Sequence, residues 1–206
     1  MANFCADRQI KWNFNPPAAA HFGGLWEAGI KSFKYHLRRV VGTTAVKFEA
    51  ATALAKISTC LNSRPLTEMS ADPGDLTVLT PGHFLTGDSL LALPEHDVTS
   101  KSMNLLTRWQ LVQRITQHFW QRWSKEYLTR LQQRPKWWTK CDNVKVGDLV
   151  LIREDNMPPL KWKLGRILEV HSGRDNNVRS VTLKTADGVA ERPIVKISLL
   201  PFNKSD

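Results

Sequence analysis

VKVGDLVLIREDNMPPLKWKLGRILEVHSGRDNNVRSVTLKTADGVAERPIVKISLL, residues 144–200, is a series of short apolar-polar runs separated by turn residues. Gly147-Asp148 is a turn signal, and LVLI (149–152) after it reads as a buried strand. DNMPPLK (155–161) is a loop, and KWKLGRILEVH (161–171) is a second strand, with Gly165 marking a turn or bulge. GRDNN (173–177) is a tight turn before VRSVTLKT (178–185), and ADG (186–188) is another before VAERP (189–193). VKISLL (195–200) supplies a short last strand. Five short strands in this order predict a small antiparallel β-barrel.

Upstream the period changes from two to that of a helix. Between residues 103 and 133, Leu105, Trp109, Val112, Thr116, Phe119, Trp123, Tyr127 and Leu131 recur every three or four positions, which predicts one long amphipathic helix with an aromatic packing stripe. Arg114, Arg122 and Lys125 fall opposite the stripe. PKWW (135–138) ends the pattern. Residues 63–100 are rich in Pro and Gly and read as an extended connector. FEAATALAKISTCLN (48–62) is an alanine-rich helix beginning near Lys47. A further helix runs from Leu25 to Gly42, with Arg38 and Arg39 in its last turn. IKWNF (10–14), stopped by a proline pair, reads as a strand.

Charge narrows the partners. The 206 residues carry a net +10, but residues 101–140 hold nine Lys/Arg against one acid, Glu126, whereas residues 81–100 hold three acids and no Lys/Arg. A localised basic segment suits a polyanion, or it is a solvated helix face. The three cysteines, Cys5, Cys60 and Cys141, are scattered and form no CxxC pair, so neither a zinc site nor a disulfide framework is suggested. That usage fits a reducing, intracellular compartment. No apolar run is long enough for a membrane span, and no phosphate loop or GxSxG elbow occurs. In the C-terminal strands Lys161, Lys163, Arg166 and Arg179 are candidate backbone contacts. Trp162 reads either as an aromatic on that face or as a core residue.

PPAAAHFGGLWEAGIKSFKYHLRRVVG (16–42) places Glu27, Lys31, Lys34 and Arg38 at i, i+4, i+7 and i+11, on one helix stripe. The stripe is either a salt-bridged solvent face or a metal-binding carboxylate followed by phosphate-holding cations. Two-metal phosphoryl transfer needs several carboxylates, and one Glu does not supply them.

HFGGLWE (21–27) resembles the last catalytic motif of the retroviral-type integrase core. Together with FKYHLRRVVG, LNSRPLT, LTPGHFLTG, RWQLVQRITQHFWQRWSKEYLTRLQQR, VGDLVLIREDNMPPLKWKLGRI and RPIVKI, the chain is similar in order to the C-terminal part of integrases of BEL/Pao-type LTR retrotransposons. The resemblance implies an α/β and β multidomain chain. Residues 1–66 would be the end of a truncated ribonuclease-H-like catalytic core, 67–140 an extended connector and long basic helical linker, and 141–203 an SH3-like C-terminal domain.

It implies that Glu27 is the catalytic, Mg²⁺-holding glutamate of an Asp-Asp-Glu triad, and that Lys31 and Lys34 approach a DNA end. Arg38, Arg114, Arg122, Lys125, Lys161, Lys163, Arg166 and Arg179 join them as expected nucleic-acid-binding residues. The family's two aspartates lie upstream of the glutamate, and Asp7, the only acid before Glu27, does not match either. The chain is therefore expected to begin inside the core. It would be catalytically incomplete alone, require no cofactor by itself, and contact DNA backbone with low sequence specificity. Other integrase chains are the expected protein partners, the nucleus is the expected location, and no membrane role is expected. The alternative is a protein–protein assembly remnant with no DNA role.

Overall fold

The computed structural model describes residues 24–41, 49–70, 72–102, 106–132, 144–175 and 177–201. The strand expected at 10–14, Asp7, Lys47, Leu105 and the PKWW stretch lie outside them. The chain divides into two compact units, Met1–Gly42 and Thr43–Asp206. In the first, α1 (Gly24–Val41) follows the expected span, with Glu27 in its first turn and Arg38 and Arg39 in its last. That order places each charge against the opposite end of the helix dipole.

The second unit is mixed α/β. All five expected C-terminal strands form: β3 (Leu149–Ile152), β4 (Lys163–Ser172), β5 (Val178–Thr185), β6 (Gly188–Pro193) and β7 (Ile197–Leu199). They make one antiparallel sheet in the order β6-β5-β4-β3-β7. Among the described residues the sheet does not close into the small antiparallel barrel expected. Among the described residues β6 and β7 are edges, each hydrogen-bonded to one neighbour. A single 3-10 turn, Ile194–Lys196, carries the chain from one edge of the sheet to the other.

The LVLI run has a physical cause. Val150 and Ile152 enter a core with Ile167, Val178, Val181, Leu183 and Ile197. Leu149 and Leu151 face the other way, packing with Leu128 and Leu200 and against Tyr127, Leu131 and Trp162. A strand covered on both faces is apolar at every position. Gly165, opposite Val150, lies at a close approach. A Cβ there would stand 3.0 Å from Ile152 Cδ1 and 3.3 Å from Leu183 Cβ.

The covering element is the long helix. Ahead of it the connector forms a short ladder of β1 (Thr67–Glu68) with β2 (Val78–Leu79) and a six-residue helix α3 (Pro81–Thr86). The long helix, α4 (Arg108–Leu131), begins at Arg108 rather than near residue 103 because Thr107 caps it. The Thr107 hydroxyl accepts from Gln110 N at 3.3 Å, and Gln110 Oε1 accepts from Thr107 N at 3.1 Å. This reciprocal pair satisfies two amides at the helix start.

α2 (Glu49–Asn62) packs along α4, burying Ala53, Ile57 and Cys60. The Cys60 thiol, with burial the leading cause, is pushed up to about 12 and is chemically quiet. The packing stripe of α4 differs from the expected one. Trp109 is 52% exposed, with the Lys56 ammonium 4.5 Å from its ring centre, while Ile115 and Trp120 are buried. A helix packed on both a second helix and a sheet buries a wider arc than a single stripe.

Candidate nucleic-acid interface

On α1, Glu27, Lys31, Lys34 and Arg38 are all exposed, as is Arg39, while Ser32 and His36 on the other side are buried. The exposed face borders an open groove. It also carries two apolar groups, Ile30 and Tyr35, and the Arg39 guanidinium lies 3.6 Å from the centre of the Tyr35 ring. Among the described residues, Glu27 is thus the one carboxylate beside these cations. Among the described residues no group of three or more His, Cys, Asp or Glu could hold a metal ion. A divalent ion at Glu27 would need oxygen ligands from beyond these residues.

The second cationic surface is on α4. Burial of Val112, Ile115, Phe119, Trp120 and Trp123 turns the opposite side of the helix outward. Arg114, His118, Arg122 and Lys125 stand there at i, i+4, i+8 and i+11, one ridge along the helix. Arg114 Nε donates to His118 Nε2 at 3.3 Å, and Arg114 Nη1 donates to the Lys101 carbonyl. Arg122 is exposed and makes no ion pair among the described residues. Lys125 pairs with Asp155 at 3.2 Å, both exposed, so this bridge is weak and solvent-screened. Arg130 pairs with Glu126, the helix's single acid.

The ridge has a fixed floor. Gln117 is buried and holds the chain at 96–98, its Oε1 accepting from Val98 N at 3.0 Å and its Nε2 donating to His96 O at 2.9 Å. That segment sits beside His118, whose basicity falls below the usual imidazole range. Burial is the largest cause, followed by the Arg114 charge; the Thr99 backbone and Asp97 act the other way, and Arg122 adds to the depression.

The sheet cations separate into two kinds. Lys161 and Arg179 are exposed, Arg179 pairing with Asp175 at 2.7 Å, and Lys163 is half-buried and paired with Asp187. Arg166 is a correction to the expected interface, since only 5% of it is exposed. Its Nη1 donates to Glu68 Oε2 at 3.0 Å and to Gly147 O at 2.9 Å, and its Nη2 donates to Asp75 O at 2.9 Å. It is a buried cation that ties the β1–β2 ladder and the Gly147 turn to β4.

Trp162 resolves to packing. Its ring makes edge contacts with Trp120, Trp123 and Tyr127 at 4.9, 5.8 and 5.5 Å between centroids, and its Nε1 donates to Ser63 Oγ at 3.3 Å. Tyr127, mostly buried, donates its hydroxyl to Pro65 O at 2.8 Å, and burial pushes its phenol up to about 12.

Sequence reasoning missed His118, Gln117 and the Arg166–Glu68 pair. His118 carried a signal, its i±4 spacing to Arg114 and Arg122. Arg166 carried none, because its burial between Gly165 and Ile167 emerges only in the folded sheet.

Residues 107–200 match the model of a family of unknown function, DUF5641. The match begins at the capping threonine of α4 and ends just beyond β7, so helix and sheet fall within one family unit. No curated protein matches the chain.

Proposed function

We propose that this chain is the C-terminal part of an integrase of the BEL/Pao-type LTR retrotransposon kind, and that it binds nucleic-acid backbone without strong sequence preference. The observation that carries the binding reading is the Arg114–His118–Arg122–Lys125 ridge. It projects from a helix whose other side is committed to the core, so its cations face outward on a rigid support. Such a surface neutralises phosphates without reading bases. Lys161, Lys163 and Arg179 of the sheet would add to it, and the exposed α1 cations Lys31, Lys34 and Arg38 form a cationic face of their own in the first unit. The SH3-like reading of the sheet is supported by its strand order and by the 3-10 turn that links the last two strands across it.

The function proposed for this chain stops at binding. Glu27 offers one carboxylate, where Mg²⁺-dependent phosphoryl transfer takes several. DNA as partner implies work in the nucleus; among the described residues no helix is long and apolar enough to cross a membrane.

The test is anisotropy of a labelled DNA duplex against salt. Arg114→Gln with Arg122→Gln is expected to weaken binding to unrelated duplexes alike and to reduce the log–log salt slope by about 2. An unchanged slope would remove the ridge from the interface.

A second reading, self-assembly with further integrase chains, is favoured by one surface. Phe84, Leu85, Leu91 and Leu93 are 68–86% exposed within ten residues of chain. The segment is held in place nearby, since Leu90 packs on Gly82 and Glu95 pairs with Lys56. Large exposed apolar groups so close together are typical of contact surfaces. Light scattering is expected to show self-association that Leu91→Asp and Leu93→Asp weaken; a monomer at every concentration would eliminate this reading.

A further inference from the structure

The ridge on α4 contains one group whose charge is not fixed. His118 lies between Arg114 and Arg122, one helical turn from each, and is half-buried. Its Nε2 accepts the Arg114 Nε–H, so that nitrogen carries no proton in this arrangement. Protonating it would set two donors against each other and place a further positive charge between Arg114 and Arg122. Among the described residues, the charged and polar groups that act on the ring stand on two elements. On α4 stand the Arg114 and Arg122 cations. On the 96–101 segment stand the Thr99 carbonyl, the Asp97 carboxylate and Lys101, whose carbonyl takes Arg114. Asp97 is held ionised by the Thr99 hydroxyl and amide, so its contribution is constant over the range in which histidine titrates.

A phosphate changes this balance. An anion placed on the ridge takes the Arg114 and Arg122 charge and offers oxygens to the imidazole. The charged ring then gains an acceptor and loses its repulsion. We propose that His118 is a proton-gated phosphate contact, neutral in the free protein and protonated when a nucleic-acid phosphate occupies the ridge beside Arg114 and Arg122. This deepens the nucleic-acid reading above and rests on it.

The bound state holds one more proton on His118 than the free state, so affinity rises as pH falls through the imidazole range. Each unit by which phosphate raises the imidazole's basicity is a tenfold gain in affinity. The surface is therefore a stronger binder in mildly acidic surroundings, with no change of fold required.

The experiment uses the full chain and a fluorescein-labelled DNA duplex at constant ionic strength. Dissociation constants are compared at about pH 8 and about pH 5.5, the range in which only histidine among ordinary side chains changes charge. The wild-type chain is expected to tighten by about tenfold over this interval. His118→Asn retains an acceptor for Arg114 but cannot be protonated, and it should lose most of that gain while keeping the weaker affinity of about pH 8. His118→Arg is permanently charged and should bind at about pH 8 nearly as tightly as the wild type does at about pH 5.5. Equal pH ratios in all three proteins, with binding intact, would overturn the proton-gated contact alone. No binding at either pH would overturn the nucleic-acid reading and this inference together.

Discussion

Arg166→Ala is expected to destabilise the Thr43–Asp206 unit by about 3–5 kcal/mol, the cost of removing one partner of a buried ion pair. The guanidinium is buried and serves three acceptors: the Glu68 carboxylate, the Gly147 carbonyl and the Asp75 carbonyl. Its loss takes this cation from the largely buried Glu68 carboxylate and this donor from two carbonyls. For a unit of this size, each kcal/mol lowers the unfolding midpoint by roughly 2–4 °C, so a large shift is expected. Urea unfolding measures it. The double variant Arg166→Met with Glu68→Leu should recover much of the loss, because apolar groups of similar volume leave no orphaned charge. A cost under about 1 kcal/mol, the range of exposed ion pairs, would mean that Arg166 is a surface cation and belongs with the phosphate contacts after all.

Trp162→Ala should cost a similar amount, about 3–5 kcal/mol, through the cavity it opens. Trp162 stands where α4, the chain at Ser63 and the sheet meet, touching Trp120, Trp123 and Tyr127 with its ring and Ser63 with its Nε1. Edge-on aromatic pairs add about 0.5–1.5 kcal/mol beyond burial, so Trp162→Phe should lose less than alanine. Near-ultraviolet circular dichroism, dominated here by the clustered indoles, should collapse in the alanine variant. A stable Trp162→Ala protein with weakened nucleic-acid binding would instead return this side chain to a stacking role.

These two residues show where sequence reading ran out. The strands were legible because alternation and turn residues are local properties, and LVLI was legible as buried because an unbroken apolar run has few other uses. Arg166 looked like any strand cation because its fate depends on Glu68, 98 residues earlier. Trp162 stayed ambiguous because its hydrogen-bond partner Ser63 is 99 residues away. The α4 stripe was legible in direction but not in width, since the sequence does not announce that α2 and the sheet both pack on it. The helix start was readable in principle from Thr107-x-x-Gln110.

The candidate site was legible in part. Arg114, Arg122 and Lys125 were recognised from their phase against the aromatic stripe, and the structure places all three on one ridge. Arg108 and Arg130 belong to the same helix, but Arg130 is engaged by Glu126. The Glu27 stripe was equally legible as geometry. Its chemistry was not, because a metal site is a property of several ligands at once and the stripe supplies a single carboxylate.

The most direct measurement is the affinity of the wild-type chain for a labelled DNA duplex across a series of salt concentrations. Binding through the ridge predicts a linear fall of log affinity with log salt, about −0.9 per phosphate neutralised, hence roughly −3 from Arg114, Arg122 and Lys125 alone, and nearly the same for unrelated sequences. Binding that is absent at low salt, or insensitive to salt, would contradict it.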